Sequence, residues 1–500
     1  MLAIEKAVGL VATPSVLISV FIASVFGMLV GAIPGLTATM AIALLVPFTF
    51  FMDPLPAVGA MIACSAMAIF AGDIPSTLLR IPGTPASAAY TDEAYAMTRN
   101  GQAETALGAN LMFSAIGGLF GTAVLIVAAP ALAEVALQFS SFEYFWLAVL
   151  GLTCAIFIGA VSPLKGLISL FIGLLVSTIG LNNPAGVPRF TFGYTELMGG
   201  IEFIPAMVGL FAVSEVLRAM VHGAIDLPMT QRKIGNLFAN WGKMVKTYWR
   251  QQLRGNTLGT AIGILPGAGA DIAAWVAYAL SKKMSRTPEK YGKGHVEGII
   301  ESTSANNAAL GGAWVPALVF GIPGDSITAI VIGVLFIKGL NPGPTLFINN
   351  PENIYAVFLI FILANLFMIP LGWAAMKGAG YILRVPRRVL MPLILGFSIV
   401  GSFAVNNATY GIVIMLVFGV LGFLMEENEI PVAPCILGIV LGPLVEENFV
   451  TSMIKSNGSF LAFFERPIAG VLGVFTILVV LSPLISMVVR RMRGPATKTA

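Results

Sequence analysis

Gly27-Met28-Leu29-Val30-Gly31-Ala32-Ile33-Pro34-Gly35 returns with its spacing intact as Gly259-Thr260-Ala261-Ile262-Gly263-Ile264-Leu265-Pro266-Gly267. A second element recurs downstream of each. Ile74-Pro75 followed by Ile81-Pro82-Gly83 matches Val315-Pro316 followed by Ile322-Pro323-Gly324. A weaker third echo sets Asn100-Gly101 against Asn341-Pro342-Gly343. The offset is 232 at the first match and 241 at the others, and one insertion after Leu280 explains the change. A lone Gly-x-x-x-Gly signals only close helix packing. Several elements in one order signal a duplicated chain.

The composition says what kind of chain was duplicated. Hydrophobic residues are 57% and charged residues 10% of the 500 residues, and the mean hydropathy is +0.90. Soluble domains carry about 25% charged residues. So few charges cannot cover a surface in water, so most of it faces lipid. At about 20 apolar residues per span, the length accommodates about ten to twelve helices. Long apolar runs such as Ile468 to Val489 exclude the alternation of a membrane β-barrel. The fold class is therefore an all-α polytopic membrane protein. Its two repeats are expected to be inverted, with re-entrant hairpins and broken helices.

Basic residues set the expected orientation. Arg218, Arg232, Lys233, Lys243, Lys246, Arg250 and Arg254 face one acid, Asp226, with Trp241, Tyr248 and Trp249 between them. This suits a cytoplasmic segment lying at the membrane interface, and a nucleic-acid role is not expected. A second basic loop holds Lys282, Lys283, Arg286, Lys290 and Lys293, and Arg490, Arg491, Arg493 and Lys498 close the chain. The C-terminus is placed in the cytoplasm. The acidic stretches Glu426 to Glu429 and Glu446-Glu447 are placed outside. The expected parts are a first half over 1–217, a basic linker over 218–254, a second half over 255–489 and a basic tail over 490–500. Gly255 to Leu280 lies between two basic loops with Pro-Gly at its centre. Its arms of about 11 to 13 residues are too short to cross ~30 Å, so it reads as a re-entrant hairpin. The N-terminus lacks a basic start and a cleavage site, so the first apolar segment is expected to stay. Cys64, Cys154 and Cys435 read as inert core thiols. His222 and His295 sit beside basic loops, so no metal site is expected.

The repeated breaks carry the chemistry. A helix broken in lipid leaves N–H and C=O groups without partners, at several kcal/mol each. Such breaks are tolerated only inside protein or beside a polar cavity. Duplicated halves with paired breaks point to a secondary transporter with its site at those breaks. The helix N-termini that follow a break favour an anion, and freed carbonyls suit a cation. The candidate contacts are Pro34, Gly35, Thr37 and Thr39 at the first break, and Ser76, Thr77, Arg80, Gly83 and Thr84 at the second. They are Pro266 and Gly267 at the third, and Asn306, Asn307, Gly324 and Ser326 around the fourth. The hydroxyls also serve as ordinary helix caps. Arg80 has two candidate partners, a solute carboxylate or Asp73. Intramembrane acids are expensive and default to function, so Asp73, Asp271 and Asp325 are candidate sites for a coupling ion. Asp271 and Asp325 read equally as helix caps. Thr91-Asp92-Glu93 reads as part of a polar helix reaching the interface.

These motifs resemble the large membrane subunit of the tripartite tricarboxylate transporter family, the TctA type. The carrying residues are Gly27 to Phe50, Ile81 to Pro85, Gly259 to Asp271, Glu301 to Asp325, Val187 to Gly193, and Pro431 to Pro443. The resemblance covers nearly the whole chain. It implies a multi-pass protein of the bacterial inner membrane, working with a small four-helix membrane subunit and a periplasmic solute-binding protein. It implies import of citrate-like or other carboxylates on a Na⁺ or H⁺ gradient, without another cofactor. The absence of a Walker A motif agrees.

Three rivals are weighed. A free-standing ion-coupled symporter would share the chemistry without the partners. An intramembrane aspartyl protease needs Tyr-Asp and Gly-x-Gly-Asp, whereas this chain has Ala270-Asp271 and Gly321-Ile322-Pro323-Gly324-Asp325. His-Glu-x-x-His is absent, so no enzyme is expected. A passive channel is disfavoured by the repeated hairpin.

Overall fold

The computed structural model describes residues 2–34, 36–156, 162–181, 184, 186–222, 235–238, 240–379, 387–405 and 407–492. Helices dominate these residues, and none of them forms a named strand. Among the described residues, seven helices are long and apolar enough to cross a membrane, and six more apolar helices are shorter. Large apolar side chains such as Ile22, Leu164, Val413 and Val471 are exposed, as lipid-facing surface requires. The chain is thus an all-α polytopic membrane protein.

Two helices form the centre. Pro54–Leu79 is buried along its length, and Val296–Phe320 is buried from Glu297 to Val319. Around them pack Pro14–Ala32, Trp241–Ile264, Ala103–Ala136 and Pro351–Lys377. Each central helix ends at corresponding points. Arg80 and Gly321 both take the left-handed conformation, at φ 61 and φ 67. Their N–H groups donate to the Pro75 and Pro316 carbonyls. Such a left-handed cap closes a helix end and turns the chain sharply.

The repeated glycines do the same work in both halves. A Cβ on Gly27 or Gly31 would lie 2.5 Å from the carbonyl oxygen of Cys64 or Ala68. A Cβ on Gly259 or Gly263 would lie 2.2 or 2.3 Å from that of Ala305 or Ala309. Ala305 follows Cys64, and Ala309 follows Ala68, at the same 241-residue offset as the Pro-Gly match. Gly83 and Gly324 press in the same way on Gly72 and Ala313. The duplication in the sequence is therefore a duplication of packing.

The hairpin forms, but its first arm is longer than the sequence reading gave. Trp241–Ile264 turns at 265–268 into Gly269–Met284, with positive φ at Gly267 and Gly269. The helix kinks at Tyr248 and continues, so the 254/255 boundary falls inside it. Its polar stretch is one amphipathic helix, with Gln252 and Asn256 buried and Trp249 exposed. Arg232, Lys233 and Asp226 of the expected linker lie outside the described residues.

Flanking helices complete the body. Phe203–His222 packs on Thr409–Glu427, and Pro163–Ser177 on Val432–Lys455. Gly209 meets Met415 and Gly173 meets Cys435 at backbone distance. The charged ends of these helices correct the placement of the acidic stretches. Lys165 pairs with Glu429 at 2.9 Å and His222 with Glu427 at 2.8 Å. Glu426 to Glu429 therefore sit at the His222 end, beside the basic segment. Glu446, about 21 Å further along its helix, instead pairs with Arg189. That pair raises the Arg189 guanidinium above its ordinary value through the Glu446 hydrogen bonds. The acids follow their basic partners, and a rule that counts only bases does not see them.

The glycine contacts generate a test. Gly263→Val should lower the unfolding temperature of the detergent-solubilised protein, through a clash with Ala309 worth roughly 1–3 kcal/mol. Gly9→Ala, where nothing lies within 4 Å, should leave it unchanged. Equal unfolding temperatures in a differential scanning experiment would refute the packing.

Candidate functional site

All four breaks reach one cavity of ≈ 520 Å³. Thr37 and Thr39 line it after the first break, Thr84 after the second, Ala268 to Asp271 after the third, and Asp325 and Ser326 after the fourth. Asn306 adds a side chain from the central helix. The volume lies in the range of small-molecule sites.

The local chemistry explains why the chain can stop being helical there. Thr37 accepts a hydrogen bond from the Met40 N–H at 3.2 Å and so caps Ala38–Thr49. Asp325 accepts from the Thr328 N–H at 2.7 Å, and its own N–H donates to the Thr328 hydroxyl at 2.9 Å. Thr84 and Ser87 make the corresponding reciprocal pair, both at 3.1 Å. These are capping boxes or their equivalents, and they satisfy N–H groups that a broken helix exposes. Ala38–Thr49 and Ser326–Ile337 have 12 residues each, about 18 Å of helix. They are half-spans, and both start at the cavity.

The two halves are cross-linked at this point. The Thr39 and Ser326 hydroxyls are 3.1 Å apart. The Asp271 carboxylate accepts from the Ala86 N–H at 3.0 Å, and the Trp275 indole donates to the Pro85 carbonyl at 3.1 Å. The first break of each half thus meets the second break of the other. Two-fold related repeats make such exchanged contacts. Corresponding positions differ in chemistry: Thr39 answers to Asp271, and Thr84 to Asp325. Within the second half, Gly269 lets the hairpin tip close on the fourth break, since a Cβ there would lie 2.7 Å from the Asp325 Cβ.

The remaining candidates take other places. Pro34, Gly83, Pro266, Gly267 and Gly324 shape the breaks without lining the cavity, and Gly35 lies outside the described residues. Arg80 stands away from the cavity. Its exposed side chain pairs with Asp92 at 2.8 Å, and neither a solute contact nor a bond to Asp73 follows from that position. Asp73 is fully buried behind the wall. It accepts from the Tyr90 hydroxyl at 2.5 Å and the Thr303 hydroxyl at 3.0 Å. Ser76 and Thr77 donate back to the Asp73 carbonyl, at 2.9 and 2.7 Å. Asn307 donates to the Thr303 carbonyl at 3.3 Å. These four form the support of the site rather than its surface. Thr91–Arg99 is a helix, as read, but Glu93 is buried. It accepts from the N–H groups of Gly292, Gly294 and His295 and pins that loop.

Asn306 is different. It is fully buried, it lines the cavity, and neither atom of its amide makes a hydrogen bond. It approaches the Tyr90 hydroxyl without hydrogen-bond geometry. A buried amide costs free energy unless it is partnered, and this one stands at the cavity without such a partner.

The sequence reading missed the second wall. Phe211, Glu215 and Arg218 come from Phe203–His222, Glu426 from Thr409–Glu427, and Pro431 to Ala433 from the start of Val432–Lys455. The available signal was Glu215 and Arg218, one helical turn apart at the end of an apolar run. Among the described residues, no group of three or more His, Cys, Asp or Glu assembles as a metal site.

A duplicated helical membrane protein whose broken helices converge on one cavity is a transporter by class. The chain belongs to the Tripartite tricarboxylate transporter TctA family, whose model matches residues 17–437. It is 34% identical over 457 residues to an Agrobacterium vitis protein described as "Uncharacterized 52.8 kDa protein in TAR-I ttuC' 3'region", covering 91% of each chain. It is 33% identical over 230 residues to an "Uncharacterized protein in TAR-II ttuC' 3'region" of the same organism, covering 46% of this chain and 95% of that one. No solved structure matches.

The capping geometry separates two roles for Asp325. Asp325→Ala should cost about 1 kcal/mol of stability, whereas Asp325→Ser, which keeps an N-cap oxygen, should cost only a few tenths. Equal losses in thermal unfolding would show that capping is not its structural role.

Proposed function

We propose that this chain is the large membrane subunit of a binding-protein-dependent secondary transporter that imports tricarboxylates or related carboxylates. The observation that carries the reading is the convergence of four helix breaks, two from each half, on one cavity. Two half-helices begin there, and the N-terminus of Ala38–Thr49, capped by the neutral Thr37, favours an anion. The Thr39 and Ser326 hydroxyls and the Asn306 amide supply further donors. Family membership supports a small membrane subunit and a periplasmic solute-binding protein as partners, and the bacterial inner membrane as location; the basic residues at the end of the chain support a C-terminus in the cytoplasm.

The charges around the cavity support coupling to a cation. Glu215, Glu426, Asp271 and Asp325 line it against one guanidinium, that of Arg218. An anion entering a site with four carboxylates is repelled unless cations or protons accompany it. Asp271 and Asp325 occupy the positions where the first half has threonines, so the second half carries the acids. We assign these two to Na⁺ or H⁺, and the donors of both halves to the carboxylate.

Uptake of labelled citrate and succinate into proteoliposomes, with the partner subunits present, tests this reading. Uptake should follow an imposed Na⁺ or pH gradient. Asn306→Ala and Asp271→Asn should each lower it at least tenfold. Uptake indifferent to both gradients would remove the coupling assignment, and full uptake by both variants would remove the site assignment.

A further inference from the structure

The wall built by the flanking helices contains one feature that the helix breaks do not account for. Among the described residues lining the cavity, Arg218 is the only cation, and it stands with Glu215 and Glu426. Its Nη1 lies 3.3 Å from Glu426 and 3.5 Å from Glu215, and its Nε lies 3.8 Å from Glu427. Charge-assisted hydrogen bonds are normally 2.7–2.9 Å. Other arginines in this molecule meet that standard. Both Nη atoms of Arg189 sit 2.8 Å from the Glu446 carboxylate, and Arg254 grips Glu301 through two nitrogens. Arg218 makes no such fork, and its buried Nε makes no hydrogen bond. A guanidinium presents a planar fork that fits a carboxylate edge. Here the fork is loosely held, faces a solute-sized cavity, and is surrounded by competing carboxylates.

We infer that Arg218 binds a carboxylate group of the solute, and that Glu215 and Glu426 hold the guanidinium when no solute is present. The inference rests on the carboxylate reading above and adds to it a residue outside the repeated breaks. The solute carboxylate and Glu426 compete for one cation. The exchange keeps Arg218 paired in both conditions, and the carboxylates it releases are balanced by the cations or protons that accompany the solute. It also favours solutes with more than one carboxylate, since one group engages Arg218 while another reaches the hydroxyls and helix N-termini of the opposite elements.

Equilibrium binding of labelled citrate to the full-length protein in detergent tests this. Arg218→Gln should weaken citrate at least a hundredfold and Arg218→Lys about tenfold, because lysine keeps the charge and loses the fork. Glu426→Gln should bind citrate as tightly as the unmodified protein or severalfold more tightly, because the competitor is gone. Thermal unfolding of each variant reports whether it is folded, and Arg218→Lys provides the comparison if Arg218→Gln is not. Citrate binding unchanged in Arg218→Lys and Arg218→Gln would overturn the inference while leaving the carboxylate reading intact. Glu426→Gln weakening citrate as much as Arg218→Gln would also overturn it, since the pair would then be a structural tie. Absence of binding of citrate and succinate by the unmodified protein would instead overturn the carboxylate reading and the inference together.

Discussion

A backbone group without a hydrogen-bond partner costs several kcal/mol in hydrocarbon, and the architecture follows from how this chain manages that cost at four places. Pro34, Pro82, Pro266 and Pro323 each precede a glycine at a point where a helix stops. None of these points faces lipid alone. The stretch at the second break turns back from a left-handed cap at Arg80 and is closed by the Thr84–Ser87 pair. The fourth break does the same from Gly321 with Asp325 and Thr328. The caps satisfy N–H groups that the breaks expose.

The same constraint explains the glycines. Half-helices that stop at a buried cavity need other helices close around them, and close approach needs small residues. Gly27, Gly31, Gly259 and Gly263 seat two helices against the central pair at backbone distance. The junction of the hairpin tip with the fourth break uses Gly269 in the same way. Packing and site are therefore one design. The elements that let helices touch also set the positions of Thr39, Asp271, Thr84 and Asp325, and the exchange of threonine for aspartate between halves gives a symmetric frame an asymmetric chemistry.

Much of this was legible in the sequence, for a definite reason. A Pro-Gly break and its following cap are local features, written within about ten residues. Their recurrence at fixed offsets showed that they belong to one design. The convergence of breaks on one cavity followed from the cost of exposed backbone. Arg80 was misplaced because its nearness to Pro82-Gly83 suggested a polar cavity contact. Its counterpart at the 241-residue offset is Gly321, which indicates that the position serves a left-handed backbone and leaves the side chain free to turn outward. The wall containing Arg218 and Glu426 was not legible. Those residues are 208 apart and lie at the ends of two apolar helices, where they look like ordinary loop charges. The length of the first hairpin arm was missed because a run of polar residues resembles a loop when it is one side of an amphipathic helix.

The central claim is that breaks from opposite halves meet at the solute site, and the contact between Thr39 and Ser326 is its most direct expression. The decisive measurement is oxidative cross-linking of the Thr39→Cys/Ser326→Cys double variant, in a chain whose Cys64, Cys154 and Cys435 are replaced by serine or alanine and which is cleavable between its halves. The two hydroxyl oxygens stand 3.1 Å apart, so a disulfide should join the fragments on a non-reducing gel and should be lost on reduction. Failure of the fragments to join, while each single cysteine remains reactive, would contradict the account.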